Sequence, residues 1–259
     1  MPAKLMPFSL FYLCVMAAVP SQLVAEGADF VSLFDGKNLG DWDGDPRFWR
    51  VENGELVGET TADKKAERNT FLIYRGRKYS DFELVFQYQV TGYNSGIQYR
   101  SRERNKWTVV GYQADFESRC HQTPRGMKDR FSGMLYDERG RTFLARRGEA
   151  VVIHPNPDEP KKPTIQVVGS VGNADKLEQA IHRDDWNEMR LLVKNHQFTH
   201  IINGHVMAMA VDEDHFNRVP SGLLAFQLHA GPAMKIRIRN VRIREIKGRG
   251  NGRLQKSLK

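Results

Sequence analysis

Apolar and polar side chains alternate with a period of two along most of this chain. Between Phe82 and Val90 every second residue is apolar, and between Ile236 and Ile246 isoleucine and valine are interleaved with arginine. Such alternation is typical of β-strands that bury one face. The alternation slips at Asn240-Val241, which predicts a β-bulge in the last strand.

Turn signals and one short helical segment complete the predicted pattern. Asn-Gly pairs, the strongest short-range signal for a β-hairpin, stand at Asn53-Gly54 and Asn203-Gly204. The alternating runs that they join are Trp49–Glu52 with Glu55–Gly58, and Phe198–Ile202 with His205–Val211. Only Asn173–Ile181 combines a capping residue with helix formers, and it predicts a helix of about two turns.

Short strands separated by turns, with no alternation of strands and helices, predict an all-β fold. The expected architecture is one antiparallel β-sandwich of jelly-roll type over residues 26–246. The proline-rich segment Pro155–Pro163 is interpreted as a loop within it, because strands on both sides are needed to complete two sheets. Residues 247–259 hold five basic and no acidic residues, which predicts a disordered basic tail.

The first 25 residues predict a secretory signal peptide. Lys4 is followed by an apolar stretch from Leu5 to Val19, and a small residue, Ala25, stands at the expected cleavage point. The alternative is an uncleaved membrane anchor, for which the stretch is short. With cleavage after Ala25, we expect the protein in the periplasm or outside the cell, without stable membrane insertion.

Charge and cysteine content exclude several classes of protein. The 39 basic and 31 acidic residues give a net charge of +8 over 259 residues, which is too little to predict nucleic acid as a partner. The excess of basic residues is compatible with anionic surfaces or ligands. The two cysteines, Cys14 and Cys120, exclude a disulfide framework and a C-x-x-C zinc site.

Long polar side chains are predicted on one face of three strands. Alternate residues of a strand share a face. The predicted polar face holds Gln98, Arg100, Gln113, Asp115, Glu117, Gln227 and His229. A sheet that faces solvent gives the same pattern, but such sheets are usually rich in lysine and glutamate. Glutamine, arginine, aspartate and histidine beside glycines favour a ligand groove.

The run Gln113-x-Asp115-x-Glu117 is similar to the acidic strand of concanavalin-like endoglucanases. In those enzymes the two outer positions are glutamates that serve as nucleophile and acid/base. Gln113 cannot attack an anomeric carbon. Asp115 and Glu117 are expected about 6.6 Å apart along one strand, which does not oppose them across a sugar. The sequence therefore disfavours a retaining glycosidase.

Among the histidines, His229 is the best placed for chemistry. It ends a predicted strand and precedes the sharp turn Ala230-Gly231-Pro232. It is interpreted either as a well-exposed base or as a hydrogen-bonded structural residue. His196-x-x-x-His200 has metal-ligand spacing for a helix, but it lies in a predicted strand and turn and is assigned to the surface.

Motifs along the chain resemble a known family. They are Phe30–Leu39, Trp49–Gly58, Asp81–Leu84, Asn94–Ile97, Gly111–Asp115, Gly133–Asp137, Trp186–Glu188, Gln227–Pro232 and Ile238–Ile243. In order and spacing they resemble the 3-keto-disaccharide hydrolase domain family, over residues 29–246. The resemblance implies a concanavalin A-like jelly roll, an exported protein and an oligosaccharide or glycoside substrate already oxidised at C3 of the sugar.

The reaction implied by the resemblance is base-catalysed elimination followed by addition of water, with net hydrolysis. A 3-keto group acidifies the C2 proton. Such a site needs a base, a group that polarises the ketone and an acid for the leaving oxygen. The candidate catalytic residues are Asp115, His229 and Glu117, with His229 or Asp115 as the base. The candidate substrate-binding residues are Arg100, Gln113, Gln98, Tyr136, Asn94 and Gln227.

Within this set, our hypothesis assigns particular roles. Arg100 and Gln113 would bind the ketone and the hydroxyls, and Tyr136 or Glu117 would assist the leaving group. The alternative way to polarise the ketone is a divalent cation. Its candidate ligands are Asp115, Glu117 and His229.

Two other functions fit the same sequence. A noncatalytic carbohydrate-binding module would use the same fold, and a cell-surface interaction protein would attach through the basic tail to anionic polymer or lipid. The basic segment Ser118–Ser132 is longer than expected for the family. It is interpreted as a cap over the groove that shifts specificity toward anionic sugars, or as a surface loop.

Overall fold

Strands form almost all of the regular structure in the computed structural model, which describes residues 29–118, 121–124 and 126–246. In chain order they are β1 (Val31–Ser32), β2 (Trp42–Asp43), β3 (Trp49–Glu52), β4 (Glu55–Thr60), β5 (Thr70–Tyr74), β6 (Phe82–Thr91), β7 (Asn94–Asn105), β8 (Thr108–Glu117), β9 (His121–Thr123), β10 (Gly126–Lys128), β11 (Leu135–Glu138), β12 (Thr142–Ala145), β13 (Glu149–His154), β14 (Thr164–Ser170), β15 (Asn187–Lys194), β16 (Gln197–Ile202), β17 (His205–Asp212), β18 (Leu223–Leu228) and β19 (Met234–Glu245). One helix, α1 (Ala174–Gln179), lies between β14 and β15. Across these residues, no helix is long and apolar enough to cross a membrane. The predicted signal peptide, the predicted basic tail, Cys14 and Cys120 lie outside the described residues.

Two large sheets pack face to face, and the predicted all-β antiparallel sandwich is confirmed. The larger sheet has ten strands in the order β14-β13-β17-β16-β15-β6-β19-β4-β3, with β1 beside β19. The smaller sheet has seven, in the order β12-β11-β8-β7-β18-β5-β2, and β9 pairs with β10 as a separate ribbon. Strand pairs in the described residues are antiparallel except β13 with β17, which run parallel. The sequence carries no signal for that parallel pair.

The predicted local elements are confirmed at the positions where the sequence places them. Asn53-Gly54 and Asn203-Gly204 turn the β3–β4 and β16–β17 hairpins with positive φ at both residues. The register of β19 slips between Arg239 and Arg242, where Asn240 has a φ of 55°. Helix α1 begins after Asn173, whose side-chain oxygen accepts N–H groups of the first turn.

The core lies between the two sheets and is rich in aromatic rings. The predicted inward faces are confirmed, because Tyr112 and Phe116 on β8 and Phe226 on β18 are buried. Phe116 stacks on Tyr88 of the larger sheet with ring centroids 4.2 Å apart, and Phe226 meets Phe86 at 5.0 Å. These contacts join the sheets and fix which face of the smaller sheet points outward.

Part of the outer face of the smaller sheet is also buried. Val109 on β8, Phe71 and Ile73 on β5, and Ala225 on β18 form an apolar cluster separate from the main core. The backbone N–H of Phe71 donates to the carbonyl of Trp107 in the β7–β8 turn. These contacts shelter part of the outer face from solvent.

A buried arginine joins the two sheets. The Arg141 guanidinium pairs with Asp137 on β11 at 2.8 Å, with Asp212 on β17 at 2.8 Å and with Asp214 at 3.2 Å. The side chains of Arg141, Asp212 and Asp214 are at most 1% exposed. The Tyr112 hydroxyl donates to Asp212 at 2.5 Å. Burial alone would lower the pKa of Arg141, but its bond to Asp212 raises the pKa above the usual value.

Strand β14, at the edge of the larger sheet, is exposed on both faces. Val167 and Val168 are 58% and 52% exposed. The loop Pro155–Pro163 joins β13 to β14, as predicted. Strand β14 therefore extends from the sandwich as an edge with little core of its own.

Candidate active site

A row of buried polar side chains crosses the outer face of the smaller sheet. The Ser101 hydroxyl donates to Gln98 Oε1 at 2.7 Å, and Gln98 Nε2 donates to Gln113 Oε1 at 2.8 Å. Gln113 Nε2 in turn donates to Asp115 Oδ1 at 2.6 Å. The four residues are at most 4% exposed. Each hydrogen bond in the row therefore donates toward Asp115, whose carboxyl group ends the row.

Burial raises the pKa of Asp115 well above its usual value. The bond from Gln113 favours the ionised form, but the neighbouring carboxyl groups of Glu117, Glu138 and Asp129 raise the pKa further. Burial and like charges of this kind are typical of catalytic acids. The arrangement favours the protonated form of Asp115, which can donate a hydrogen bond to a ligand.

The neighbour of Asp115 on β7 is a glycine, Gly96. Gly96 pairs with Asp115, and Gln227 of β18 lies on the other side of Gly96. A Cβ at Gly96 would lie 2.7 Å from Gln113 Cγ, so glycine leaves the room that Gln113 occupies. Gln227 Oε1 is buried without a hydrogen-bond partner among the described residues. Such an acceptor is costly, and a ligand hydroxyl at this position would satisfy it.

His229 follows β18 directly and is half-buried, not well exposed as predicted. Its Nδ1 contacts the carbonyl oxygen of Ala230, and its ring meets Tyr93 edge-on with centroids 5.0 Å apart. Burial lowers the pKa of His229, although the Ala230 carbonyl opposes this effect. When Nδ1–H donates to that carbonyl, Nε2 is the basic nitrogen.

Two polar residues that carried no sequence prediction lie beside this row. Glu138 on β11 is 9% exposed, and burial raises its pKa. Asn69, just before β5, lowers the pKa of Glu138 in opposition to burial and accepts the N–H of Ala230 at 3.0 Å. Glu138 follows Tyr136 by two residues, so the alternation of the strand could have predicted that it lies on the polar face. No sequence pattern predicts the position of Asn69, because Asn69 lies in a loop.

Tyr136 lies on the predicted polar face. It pairs with Gln113 across β8 and β11, and its side chain is half-buried. Burial raises the pKa of Tyr136, and the carboxyl groups of Glu138 and Asp115 add to the effect. Its hydroxyl therefore keeps its proton at neutral pH and can donate it to a hydrogen-bond acceptor.

The prediction that Arg100 lies on the polar face is wrong. A β-bulge in β7 gives Arg100 a φ of 47° and interrupts the alternation, so that Ser101 takes the outer face. The Arg100 guanidinium donates to Asp81 Oδ1 at 2.9 Å and lies 5.6 Å from the ring centroid of Phe198. Arg100 therefore stabilises the fold, and we assign it no contact with substrate.

Glu117 is buried and holds the segment that returns from the basic insertion. Its Oε1 accepts the backbone N–H groups of Arg130 and Phe131, the second at 3.2 Å, and its own N–H donates to Ser132 Oγ at 2.9 Å. We therefore assign Glu117 to this segment and give it no part in proton transfer. Asn94, half-buried, pairs with Glu117 at the end of the polar face. Within the insertion, β9 and β10 form the two-stranded ribbon.

His200 is buried, not at the surface as predicted. It is 1% exposed, and its Nε2 lies 3.0 Å from the Tyr99 hydroxyl. Burial lowers the pKa of His200 to about 4, so this histidine is neutral at physiological pH. Its alternation with Phe198 and Ile202, both buried, is the signal that would have placed it in the core.

The described residues do not form a metal site of three or more ligands. No three His, Cys, Asp or Glu side chains among them are grouped to hold a metal ion. Of the candidate ligands, Glu117 already binds backbone N–H groups through Oε1. The role of a divalent cation in polarising the ketone stays a prediction, and we derive no step through one.

The two sheets and their sheltered polar face define a jelly-roll sandwich, a class with several solved members. A candidate glycosyl hydrolase from Parabacteroides distasonis matches with a TM-score of 0.52 and 17% identity, over 85% of this chain and 100% of its own. A second from the same organism matches with a TM-score of 0.51 and 19% identity, over 85% and 95%. A Bacillus subtilis protein with a galectin-like fold matches with a TM-score of 0.51 and 11% identity, over 85% and 96%. At these identities the likeness shows the fold.

Within that class, the sequence identifies the family. Residues 29–244 match the 3-keto-alpha-glucoside-1,2-lyase-like domain, which covers almost all of the described chain. The protein belongs to this family, and the resemblance carried by its motifs is confirmed. No curated protein matches the chain.

Proposed function

We propose that the protein is an exported enzyme that cleaves 3-keto-glycosides by elimination and hydration, with net hydrolysis. One observation carries the proposal: the buried acid Asp115 lies beside Gly96 and the unpartnered acceptor of Gln227, and His229 follows two residues later. Membership of the 3-keto-alpha-glucoside-1,2-lyase-like family supports the substrate class. Gln113 stands where a retaining glycosidase needs a nucleophile, which favours elimination instead.

The first step removes the C2 proton of the oxidised sugar. His229 Nε2 takes this proton, the C2–H electron pair forms the C1=C2 double bond, and the C1–O bond breaks. Because burial lowers the pKa of His229, the neutral base is present at pH 7. Negative charge develops on the C3 oxygen, and the protonated carboxyl of Asp115 donates a hydrogen bond to it, a role that suits a neutral buried acid.

The leaving oxygen departs with the C1–O electron pair and needs a proton. The Tyr136 hydroxyl supplies it: the phenol is protonated at neutral pH, and the leaving oxygen becomes the stronger base as it develops negative charge. Water then adds to the enone: its OH binds C1, its remaining proton restores Tyr136, and protonated His229 returns a proton to C2. The sum is hydrolysis of one glycosidic bond, with each residue restored.

Export rests on the predicted signal peptide over residues 1–25. The substrates are then glycosides outside the cytoplasm, oxidised at C3 by a separate oxidoreductase because the elimination itself is redox-neutral. Nucleic acid and stable membrane insertion have no part in the proposal.

Product release from a 3-keto-glucoside, compared with its unoxidised parent glucoside, tests the proposal. We expect turnover of the keto compound alone, because only its C2 proton is acidic.

The assays are repeated with EDTA and with added Mn²⁺ or Ca²⁺. Activity that survives EDTA supports a mechanism carried by the protein's own groups, and loss of activity in EDTA with recovery by one cation would support a metal role. Cleavage of the parent glucoside would contradict elimination.

The pH dependence of kcat/KM on the 3-keto-glucoside tests the base. Neutral His229 is the active form, so activity should rise with pH and level off with a midpoint below 6.5, since burial lowers the pKa of His229 from that value. The His229→Gln variant should lose this rise of activity with pH, and its kcat should fall by about 10²–10⁴-fold. His154→Gln, in β13 outside the site, is the matched control. An unchanged rise of activity with pH in His229→Gln would exclude His229 as the base.

One observation favours the alternative of a noncatalytic carbohydrate-binding module. Ser101, Gln98 and Gln113 satisfy one another in a fixed row, and a rigid polar face is what a binding module needs. Calorimetry separates the two functions. Binding of both the keto and the parent sugar, without turnover of either, would establish the binding module.

A further inference from the structure

Three half-buried aromatic rings, Phe131, Tyr136 and Phe143, lie at one side of the polar face and are named here the aromatic shelf. Phe131 and Phe143 stack with centroids 5.4 Å apart, and Tyr136 meets Phe143 edge-on at 5.0 Å. The proposed reaction gives Phe131 and Phe143 no role. Flat aromatic faces of this kind offer apolar contact to the C–H face of a sugar ring.

Two exposed arginines lie over this shelf. The Arg130 guanidinium is 5.2 Å from the ring centroid of Phe131, and that of Arg146 is 5.5 Å from the centroid of Phe143. Neither guanidinium forms an ion pair within the described part of the chain; the backbone N–H of Arg146, not its side chain, donates to Glu149 at 2.9 Å. Arg141, by contrast, is fully paired with buried carboxylates. The charges of Arg130 and Arg146 are therefore left for a ligand.

The shelf is continuous with the proposed active site. Tyr136 pairs across β8 with Gln113, whose amide donates to Asp115. On its other side Tyr136 pairs with Phe143 of β12. A sugar unit on the shelf is thus a neighbour of the unit at Asp115, within reach of one glycosidic linkage.

We propose that the aromatic shelf, with Arg130 and Arg146, is a subsite for a leaving sugar unit that carries a negative charge, as a carboxylate or a sulfate. The Tyr136 ring, which neither guanidinium covers, contacts the apolar face of that unit. The guanidinium groups bind the anion, for which their planar forks are suited. The inference rests on the proposed function for the reaction itself and adds the charge of the substrate. Arg130 comes from the basic insertion, which gives that segment a role in specificity.

Kinetics on matched substrates test the subsite. The substrates are 3-keto-disaccharides whose leaving unit is glucose, glucuronic acid or glucose 6-sulfate. The test variant is Arg130→Gln/Arg146→Gln. The matched control is Arg104→Gln, the same substitution at an exposed arginine of β7. In the wild type, we expect one of the two charged substrates to have a KM about tenfold lower than that of the neutral substrate. A tenfold difference is what one good charge-assisted hydrogen bond contributes. The double variant should lose this difference, and Arg104→Gln should keep it.

Each outcome has a defined meaning. Preference for glucuronic acid or for the 6-sulfate supports the subsite and identifies the anion. Equal KM values for charged and neutral substrates in the wild type overturn the subsite. So does an equal decrease of kcat/KM on all three substrates in the double variant. If no 3-keto-disaccharide is turned over, the proposed reaction fails. In that case calorimetry with the unoxidised glucuronic acid disaccharide still tests the subsite: weaker binding to the double variant supports it, and equal binding overturns it.

Discussion

The Asp115→Asn variant is expected to turn over 3-keto-glycosides about 10²–10³-fold more slowly and to melt at a higher temperature than the wild type at neutral pH. The loss of activity follows from replacing an acidic hydrogen-bond donor by an amide at the oxygen that becomes negative. The gain in stability follows from removing an ionisable group from a site where burial raises its pKa. Asparagine keeps an oxygen that can accept the bond from Gln113, so the polar row can persist.

The stability difference has a defined pH window. Below about pH 4, the usual pKa of an aspartic acid, Asp115 is protonated in both the folded and the unfolded chain. As the pH rises through this value, the unfolded chain releases the proton while the folded protein retains it, because its pKa is raised. The wild type therefore loses stability up to its folded pKa, and the variant does not.

Thermal melts at pH 4, 5.5 and 7, together with kcat on one 3-keto-glucoside, check both parts. The difference in Tm should be near zero at pH 4 and grow with pH. Asp158→Asn, exposed in the loop between β13 and β14, should change neither quantity. A lower Tm for Asp115→Asn at pH 7 would mean that Asp115 mainly stabilises the fold.

The Arg141→Met variant is expected to lose about 3–5 kcal/mol of unfolding free energy. Methionine matches the length of the arginine stem but leaves the carboxylates of Asp212 and Asp214, whose side chains are 0% exposed, without a counter-charge. Because typical domains are stable by about 5–15 kcal/mol, this change is a large part of the whole. The contact with Asp137 of β11 would be lost with it.

Urea unfolding measures this loss. A second variant, Arg141→Met/Asp212→Asn, should recover part of it, because it removes one uncompensated charge and keeps an acceptor for the Tyr112 hydroxyl. Arg104→Met, exposed on β7, should stay within about 0.5 kcal/mol of the wild type. A double variant less stable than Arg141→Met would show that charge burial is not the cause.

Strand faces were predictable from the sequence wherever the alternation was unbroken. Gln98, Gln113 and Asp115 share a face in the structure as predicted, because inward aromatic residues fix the register of their strands. Arg100 was misplaced because a bulge moves each later side chain to the opposite face. A bulge can be predicted from the sequence where its residue readily adopts positive φ. Asn240 is such a residue.

The remainder of the site depends on contacts between segments that are distant in the chain. Asn69 reaches the site from a loop, and Glu117 holds a segment whose path no periodicity describes. Burial lowers the pKa of His229 and raises that of Asp115, and this burial depends on how distant segments pack together. Local patterns do not encode such packing, of which the contact of Val109 with β5 is one example.

The exposed edge formed by β14 offers a route to self-association in concentrated solutions. From Thr164 to Ser170 this strand has no charged side chain and no proline, and an open edge of that composition is a template for strand addition by another molecule. Lys161, Lys162 and Pro163, directly before it, are the kind of residues that limit such growth. A lysine in place of Val167 would make the edge charged at a position that the core does not use.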